Sequence, residues 1–113
     1  MKFDRLHILL CCNLGASTGV MVNKMREIAM NSEKLKGVDI KIEAHPASDL
    51  IEYIDDFDVI MLGPQIKHRY NELKEICDSK KKPLEVIDTR DYGTVNGANI
   101  LKSGILLKMK TLE

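Results

Sequence analysis

The sequence lacks an excess of charge of either sign, since 17 lysine and arginine residues stand against 17 aspartate and glutamate residues. A protein that binds the phosphate backbone of nucleic acids needs a basic face, and none is evident here. Long apolar runs are also missing: the first one spans only about six residues, too few for a membrane span or a signal peptide. We therefore expect a cytoplasmic protein without direct membrane insertion, whose partners are small molecules or proteins and not nucleic acid.

Cysteine is scarce, with only Cys11, Cys12 and Cys77 in the chain. An odd number of cysteines, two of them adjacent, forms no disulfide framework and is typical of free thiols in a reducing compartment. The three histidines are scattered and show no metal-ligand spacing. The sequence therefore predicts no metal site, and we expect no cofactor.

At 113 residues the chain has the length of one domain, residues 1–113, with a core that needs no covalent staple. Apolar strand segments alternate with amphipathic helical segments. The predicted strands are residues 5–12, 38–44, 59–62 and 84–88, and the predicted helices are residues 17–35, 49–55, 65–78 and 98–110. Residues 89–97 are expected to form a loop.

Short connections between alternating strands and helices indicate right-handed crossovers and a parallel sheet. We predict an α/β fold of three layers, a four-stranded sheet of order 2-1-3-4 with helices on both faces, as in flavodoxin and the low-molecular-weight phosphatases. The functional crevice of such a sheet lies where the strand order reverses, at the carboxyl ends of strands one and three. That places Cys12 beside Gly63, Pro64 and Gln65.

The loop after the first strand reads Cys12-Asn13-Leu14-Gly15-Ala16-Ser17-Thr18. Backbone N–H groups at the start of the following helix have no intrahelical partner, and the helix dipole adds positive charge there, which favours a bound phosphate. The loop has no lysine in the position that a nucleotide-binding P-loop requires. The loop is therefore a candidate phosphate site built from backbone and hydroxyl groups.

The reactive atom of this loop is a cysteine sulfur. A helix N-terminus stabilises a thiolate, which makes Cys12 the candidate nucleophile. Phosphatases that work through phosphocysteine carry an arginine six residues after the cysteine, and that position here is Thr18. Without this guanidinium the loop can accept a phosphoryl group but is poorly equipped to hydrolyse it, which favours a phosphoryl carrier.

Nearly the whole chain resembles the enzyme IIB component of the bacterial sugar phosphotransferase system, of the lactose, cellobiose and chitobiose class. The resemblance is carried by several stretches in the same order: Leu10-Cys11-Cys12-Asn13-Leu14-Gly15-Ala16-Ser17-Thr18, Val22-Asn23-Lys24-Met25, Leu62-Gly63-Pro64-Gln65-Ile66, Val86-Ile87-Asp88 and Tyr92-Gly93-Thr94-Val95-Asn96-Gly97.

This resemblance implies that a phosphoryl group passes from a phosphohistidine of enzyme IIA to Cys12. It then passes to a disaccharide of the cellobiose, chitobiose or lactose type held by the membrane component, enzyme IIC. The family's phosphate loop falls on residues 13–18, and Gly63, Pro64, Gln65 and Tyr92 become possible crevice or partner contacts. We expect a monomer that docks transiently. The resemblance assigns no role to Cys11, and Cys77 is interpreted as a packing residue because it ends the apolar stripe of the third helix.

Other classes of protein share this fold. A low-molecular-weight phosphatase would need arginine in place of Thr18, and an arsenate-reductase-like thiol enzyme would need a resolving cysteine. Cys77 is predicted at the far end of the third helix, and Cys11 is sterically unsuited to pair with Cys12. A flavodoxin-like binding module would need a loop richer in serine and threonine.

Overall fold

A four-stranded sheet forms the centre of the protein in the computed structural model, which describes residues 2–13 and 16–113. The strands are β1 (Arg5–Cys12), β2 (Asp39–Pro46), β3 (Val59–Leu62) and β4 (Leu84–Val86). The α-helices are α1 (Ala16–Met30), α2 (Leu50–Tyr53), α3 (Tyr70–Ser79), α4 (Thr89–Gly93) and α5 (Gly97–Lys110). Turns of 3-10 helix occupy Glu33–Leu35, Ala47–Asp49, Ile54–Asp56 and Pro64–Arg69.

The strands lie in the order β2-β1-β3-β4, and every neighbouring pair is parallel. The predicted fold and strand order are therefore confirmed. β1 pairs with β2 from Arg5 opposite Asp39 to Cys12 opposite Pro46, and with β3 over residues 8–11. Because the order reverses between β1 and β3, the crevice at the carboxyl edge of the sheet opens where β1 ends.

The central strand β1 is buried on both sides, as its apolar sequence predicts. Leu6, Ile8 and Leu10 pack with residues of α1 and α5, on what we call the α1/α5 face. Leu9 and Cys11 pack with residues of α2 and α3, on the α2/α3 face. Since side chains alternate along a strand, Cys12 follows Leu10 onto the α1/α5 face. The same alternation predicts that Cys11 faces away from Cys12, and Cys11 packs on the α2/α3 face.

Helix α1 is shorter than the sequence pattern predicts, because it ends at Met30 and not near Leu35. Asn31 and Ser32 follow, two residue types whose side chains compete for backbone hydrogen bonds and favour helix ends. Gly37 has a φ of +85°, a conformation open to glycine, and it ends the 3-10 turn that follows the helix. The sequence pattern predicts Gly37 as the residue that ends the first helix, whereas the glycine follows the later 3-10 turn.

The segment after β3 is not one continuous helix from Gln65. Pro64–Arg69 forms 3-10 turns with a kink at Ile66, whose φ of −120° is not helical, and the α-helix begins only at Tyr70. The kink accompanies burial, since the Ile66 side chain is 2% exposed on the α2/α3 face. The break leaves Gln65 in a separate turn directly after β3.

Two further departures concern helix faces. The spacing predicts Ile51 on the inward side of the second helix, but Ile51 is 67% exposed, because α2 is only four residues long and 3-10 turns flank it. In α5 the buried residues include Ile100, Leu101 and Leu107. The spacing also predicts Leu112 inward, but it lies beyond the helix and is half exposed.

The predicted loop over residues 89–97 contains the short helix α4, and β4 stops at Val86, two residues earlier than predicted. Asp88 caps α4 by accepting hydrogen bonds from the backbone N–H groups of Arg90 and Asp91. The cap stops the strand and starts the helix. Its position places Tyr92 at the carboxyl edge of the sheet.

Candidate functional site

Cys12 is the last residue of the central strand and lies at the carboxyl edge of the sheet. It is only 3% exposed, with Pro46 of β2 opposite it on one side. Helix α1 begins at Ala16, so the loop between strand and helix is three residues long. The sulfur thus lies at a strand end, next to a helix N-terminus, where backbone donors and the helix dipole favour an anion.

Gly63 brings the end of β3 against Cys12. Its N–H donates to the carbonyl oxygen of Cys11 at 2.9 Å. A Cβ atom at this position would lie 3.8 Å from Cys12 Cβ and 2.9 Å from the side-chain oxygen of Gln65. The exposed Gln65 side chain therefore folds back over the glycine, toward the cysteine. A Cβ at this position would require the Gln65 side chain to move aside.

Thr18 and Tyr92 form a buried hydrogen bond between their hydroxyl groups, with an O–O distance of 2.7 Å. Thr18 is 2% exposed and Tyr92 is 8% exposed, although 74 residues separate them in the sequence. The bond joins the first turn of α1 to α4. Tyr92 packs on the α1/α5 face, to which side-chain alternation from Leu10 also assigns Cys12.

The segment that carries Tyr92 is held by several hydrogen bonds besides the Asp88 cap. The Asp91 side chain accepts from the amide of Asn99 at 3.1 Å, and the Asp91 carbonyl accepts from the N–H of Asn96 at 2.8 Å. Thr94 donates its hydroxyl hydrogen to the carbonyl of Arg90 at 2.8 Å. These contacts fix α4 to the start of α5.

The other two cysteines are buried on the α2/α3 face. Burial, reinforced by Cys77 and Cys12 nearby, raises the pKa of the Cys11 thiol to about 12. Burial, with Asp78 nearby, raises the pKa of the Cys77 thiol to about 11. Both groups are neutral thiols near pH 7 and are poor nucleophiles. Neither is placed to resolve a disulfide with Cys12, which argues against the redox alternative.

The structure brings most of the predicted site residues together at one edge. Cys12, the exposed Asn13, Gly63, Pro64 and Gln65 lie where β1 and β3 end. Thr18 joins Tyr92, a contact that the sequence did not predict. Leu14 and Gly15 lie outside the described residues, as do the side chains of Ala16 and Ser17, the first residues of α1.

Sequence reasoning missed a charged cluster at the opposite, amino edge of the sheet. Asp58, 8% exposed, accepts hydrogen bonds from the Arg5 side chain and from the His7 backbone N–H at 3.0 Å, and Lys108 lies 3.5 Å away. Burial would raise the pKa of Asp58, but these partners outweigh it and hold the pKa below its usual range. No local pattern marks Asp58, because its partners are distant in sequence.

Within residues 2–13 and 16–113, no helix is long and apolar enough to cross a membrane. This finding concerns only the helices of that part of the chain.

The fold is a three-layer α/β domain whose parallel sheet has a cysteine, Cys12, at the point where the strand order reverses. Residues 7–103 match the family described as "PTS system, Lactose/Cellobiose specific IIB subunit". The chain belongs to this family of IIB components, and it has a phosphoryl-transfer role in sugar uptake as a phosphotransferase.

Similar proteins support this assignment. The oligo-beta-mannoside-specific EIIB component of Bacillus subtilis is 31% identical over 88% of this chain and 93% of its own length. The cellobiose-specific EIIB component of Lactococcus lactis is 30% identical over 83% of this chain and 88% of its own. The solution structure of a cellobiose-specific IIB component from Borrelia burgdorferi superposes with a TM-score of 0.75, at 37% identity and 94% coverage of both chains.

Proposed function

We propose that Cys12 carries the phosphoryl group of a sugar phosphotransferase system. The observation that supports this most directly is the position of Cys12 at the end of the central strand, next to the N-terminus of α1 and apart from the two neutral thiols. A thiolate at this place meets backbone donors that can also hold phosphoryl oxygens.

In the first step the Cys12 thiolate attacks the phosphorus of a phosphohistidine on enzyme IIA. The S–P bond forms, the P–N bond breaks, and its electron pair returns to the imidazole nitrogen. In the second step a sugar hydroxyl oxygen attacks the phosphorus while the sugar is held by the membrane component, enzyme IIC. The S–P bond breaks, sulfur keeps the electron pair, and the hydroxyl proton leaves to solvent or to a base of the partner.

The relatives point to the kind of sugar that this chain serves. Two of them are specific for cellobiose and one for oligo-beta-mannosides, by their names. We propose a β-linked disaccharide of the cellobiose, chitobiose or lactose type. Phosphoryl transfer takes place in the cytoplasm, and the chain acts as a single-domain monomer that binds enzyme IIA and then enzyme IIC.

The position six residues after Cys12 supports a carrier in preference to a phosphatase. Thr18 occupies it, and its hydroxyl is buried in the bond to Tyr92. A phosphatase places a guanidinium there to grip the phosphoryl oxygens. Without this guanidinium the phosphocysteine is expected to persist long enough to reach a second protein.

The experiment that tests this function is the intact mass of the chain after incubation with a phosphorylated enzyme IIA of the cellobiose class. We expect the wild type to gain one phosphoryl group and Cys12→Ser to gain none. Cys11→Ser and Cys77→Ser, matched controls that remove buried thiols from the other face, should gain the group as the wild type does. Acceptance by Cys12→Ser, or its loss in Cys77→Ser alone, would contradict the assignment.

A further inference from the structure

The hydroxyl pair of Thr18 and Tyr92 lies on the α1/α5 face, to which side-chain alternation along β1 also assigns Cys12, the last residue of that strand. Thr18 is the third residue of α1, so the bond is made within the helix turn whose N–H groups face the loop after β1. A hydrogen bond between buried side chains fixes both partners, since either group alone would be left unsatisfied. The start of α1 is thus tied to α4.

We propose that Tyr92 is a positioning residue for phosphoryl transfer, which acts through Thr18. The proposal rests on the proposed function of Cys12. Tyr92 holds the first turn of α1 at the distance from the end of β1 that a phosphoryl group on sulfur requires. Misplacement of such groups by a fraction of an ångström slows a transfer reaction without preventing binding.

The acidity of the two hydroxyls bears on the direction of their hydrogen bond. Either hydroxyl can donate at this distance, and the stronger acidity of a phenol favours Tyr92 as the donor to Thr18 Oγ1. Thr18 then keeps its own hydroxyl hydrogen, which a phosphoryl oxygen on Cys12 can accept. A phenylalanine at position 92 would bury the same ring but leave Thr18 unfixed.

Backbone strain next to Tyr92 supports a role beyond packing. Val95 has a φ of +53°, which is a genuine outlier for a β-branched residue. Its N–H donates to the carbonyl of Tyr92 at 3.1 Å, and its carbonyl accepts from the N–H of Gly97 at 2.9 Å. Strained residues of this kind persist where the surroundings hold them, and they concentrate at functional sites. Here the strained turn directly follows the helix that presents Tyr92 to Thr18.

The test measures the initial rate of phosphoryl acceptance from phosphorylated enzyme IIA at several donor concentrations, for the wild type and Tyr92→Phe. We expect kcat to fall about tenfold with an unchanged KM for the donor, because the variant alters the reaction geometry and not the docking surface. Tyr70→Phe removes a hydroxyl from α3, on the other face of the sheet, and should leave both constants at the wild-type values.

A double-mutant cycle separates positioning from general loss of structure. In a Thr18→Val background, Tyr92→Phe should cause no further loss, because its partner is already gone. Thr18→Ser keeps a hydroxyl at position 18 and should restore most of the rate. Thermal unfolding of each variant gives the folded fraction by which the rates are corrected.

Three results would overturn the proposal. A wild-type rate for Tyr92→Phe, while Cys12→Ser accepts nothing, would remove Tyr92 from the reaction and leave the proposed function standing. An equal loss from Tyr92→Phe in the wild-type and in the Thr18→Val background would show that Thr18 does not mediate the effect. Failure of the wild type to accept a phosphoryl group would remove both proposals together.

Discussion

The two edges of the sheet use polar side chains in different ways. At the amino edge the buried carboxylate of Asp58 is surrounded by Arg5, the His7 N–H and Lys108, and each charge has a partner of opposite sign. At the carboxyl edge the side chains that we assign to phosphoryl transfer are thiol, amide and hydroxyl groups: Cys12, Asn13, Thr18, Gln65 and Tyr92. Paired charges stabilise the fold at the amino edge, whereas the side chains assigned to phosphoryl transfer at the carboxyl edge include no lysine, arginine or carboxylate.

The distance between the edges allows this separation. Asp58 is hydrogen-bonded to His7, and the five residues from His7 to Cys12, at about 3.3 Å each, put roughly 17 Å between the carboxylate and Cys12. That is about twice the screening length of roughly 8 Å at physiological ionic strength. The cluster at the amino edge can therefore contribute to stability without repelling or attracting a phosphoryl group at Cys12.

The largest expected effect comes from Asp58→Ala, which leaves Arg5 and Lys108 without their shared partner. We expect the free energy of unfolding to fall by about 3 kcal/mol, at the low end for a broken buried pair because the Arg5 side chain is 49% exposed. Urea denaturation measures the loss. Phosphoryl acceptance per folded molecule should not change, because the cluster is remote from Cys12.

A control for this variant is Asp55→Ala. Asp55 is 70% exposed and 3.5 Å from Lys80 on the surface, and loss of such a surface pair changes stability by only about 0.5 kcal/mol or less. If Asp58→Ala were as stable as Asp55→Ala, the stabilising role of the amino edge would be wrong.

The stabilising role of Asp58 should also appear in the pH dependence of the free energy of unfolding. The pKa of Asp58 is lower in the folded protein than in the unfolded chain, so its contribution is present above about pH 4 and is lost as the pH falls through the folded value. Asp58→Asn has no group that titrates there. The difference in free energy of unfolding between wild type and Asp58→Asn should shrink as the pH falls below about 4. A constant difference would contradict the assigned shift.

The sequence predicts the sheet and the position of Cys12 because both depend on local patterns. Apolar runs that end in small residues mark the strands, short crossovers indicate a parallel sheet, and the flavodoxin-like order was chosen for that sheet. With that order, Cys12 and Gly63 must meet at the switch point. The start of α4 is also predictable, because an aspartate just before Thr89 is a helix-start signal. Our prediction of a loop over residues 89–97 did not use this signal.

The remaining features depend on contacts between distant parts of the chain. Thr18 and Tyr92 are 74 residues apart, and Asp58 and Arg5 are 53 apart. No periodicity links such pairs, because each is set by how helices pack on the finished sheet. The positive φ of Val95 was also not predictable from the sequence, because β-branched residues rarely adopt this conformation.

Gly63→Ala is expected to have the smallest effect on stability. It is also the sharpest test of the carboxyl edge. The new Cβ would meet the side-chain oxygen of Gln65 at 2.9 Å, and the Cys11 carbonyl at a tolerable 3.4 Å. Because Gln65 is a long exposed side chain it can swing away, so stability should change by less than about 1 kcal/mol. The displaced amide and the methyl group beside Cys12 should nevertheless slow phosphoryl acceptance severalfold.

The control is Gly93→Ala, where a Cβ meets no atom within 4 Å, and it should change neither stability nor the rate of phosphoryl acceptance. A Gly63→Ala protein with the wild-type rate would mean that the end of β3 only closes the sheet, and that the anion site is formed by β1 and α1 alone.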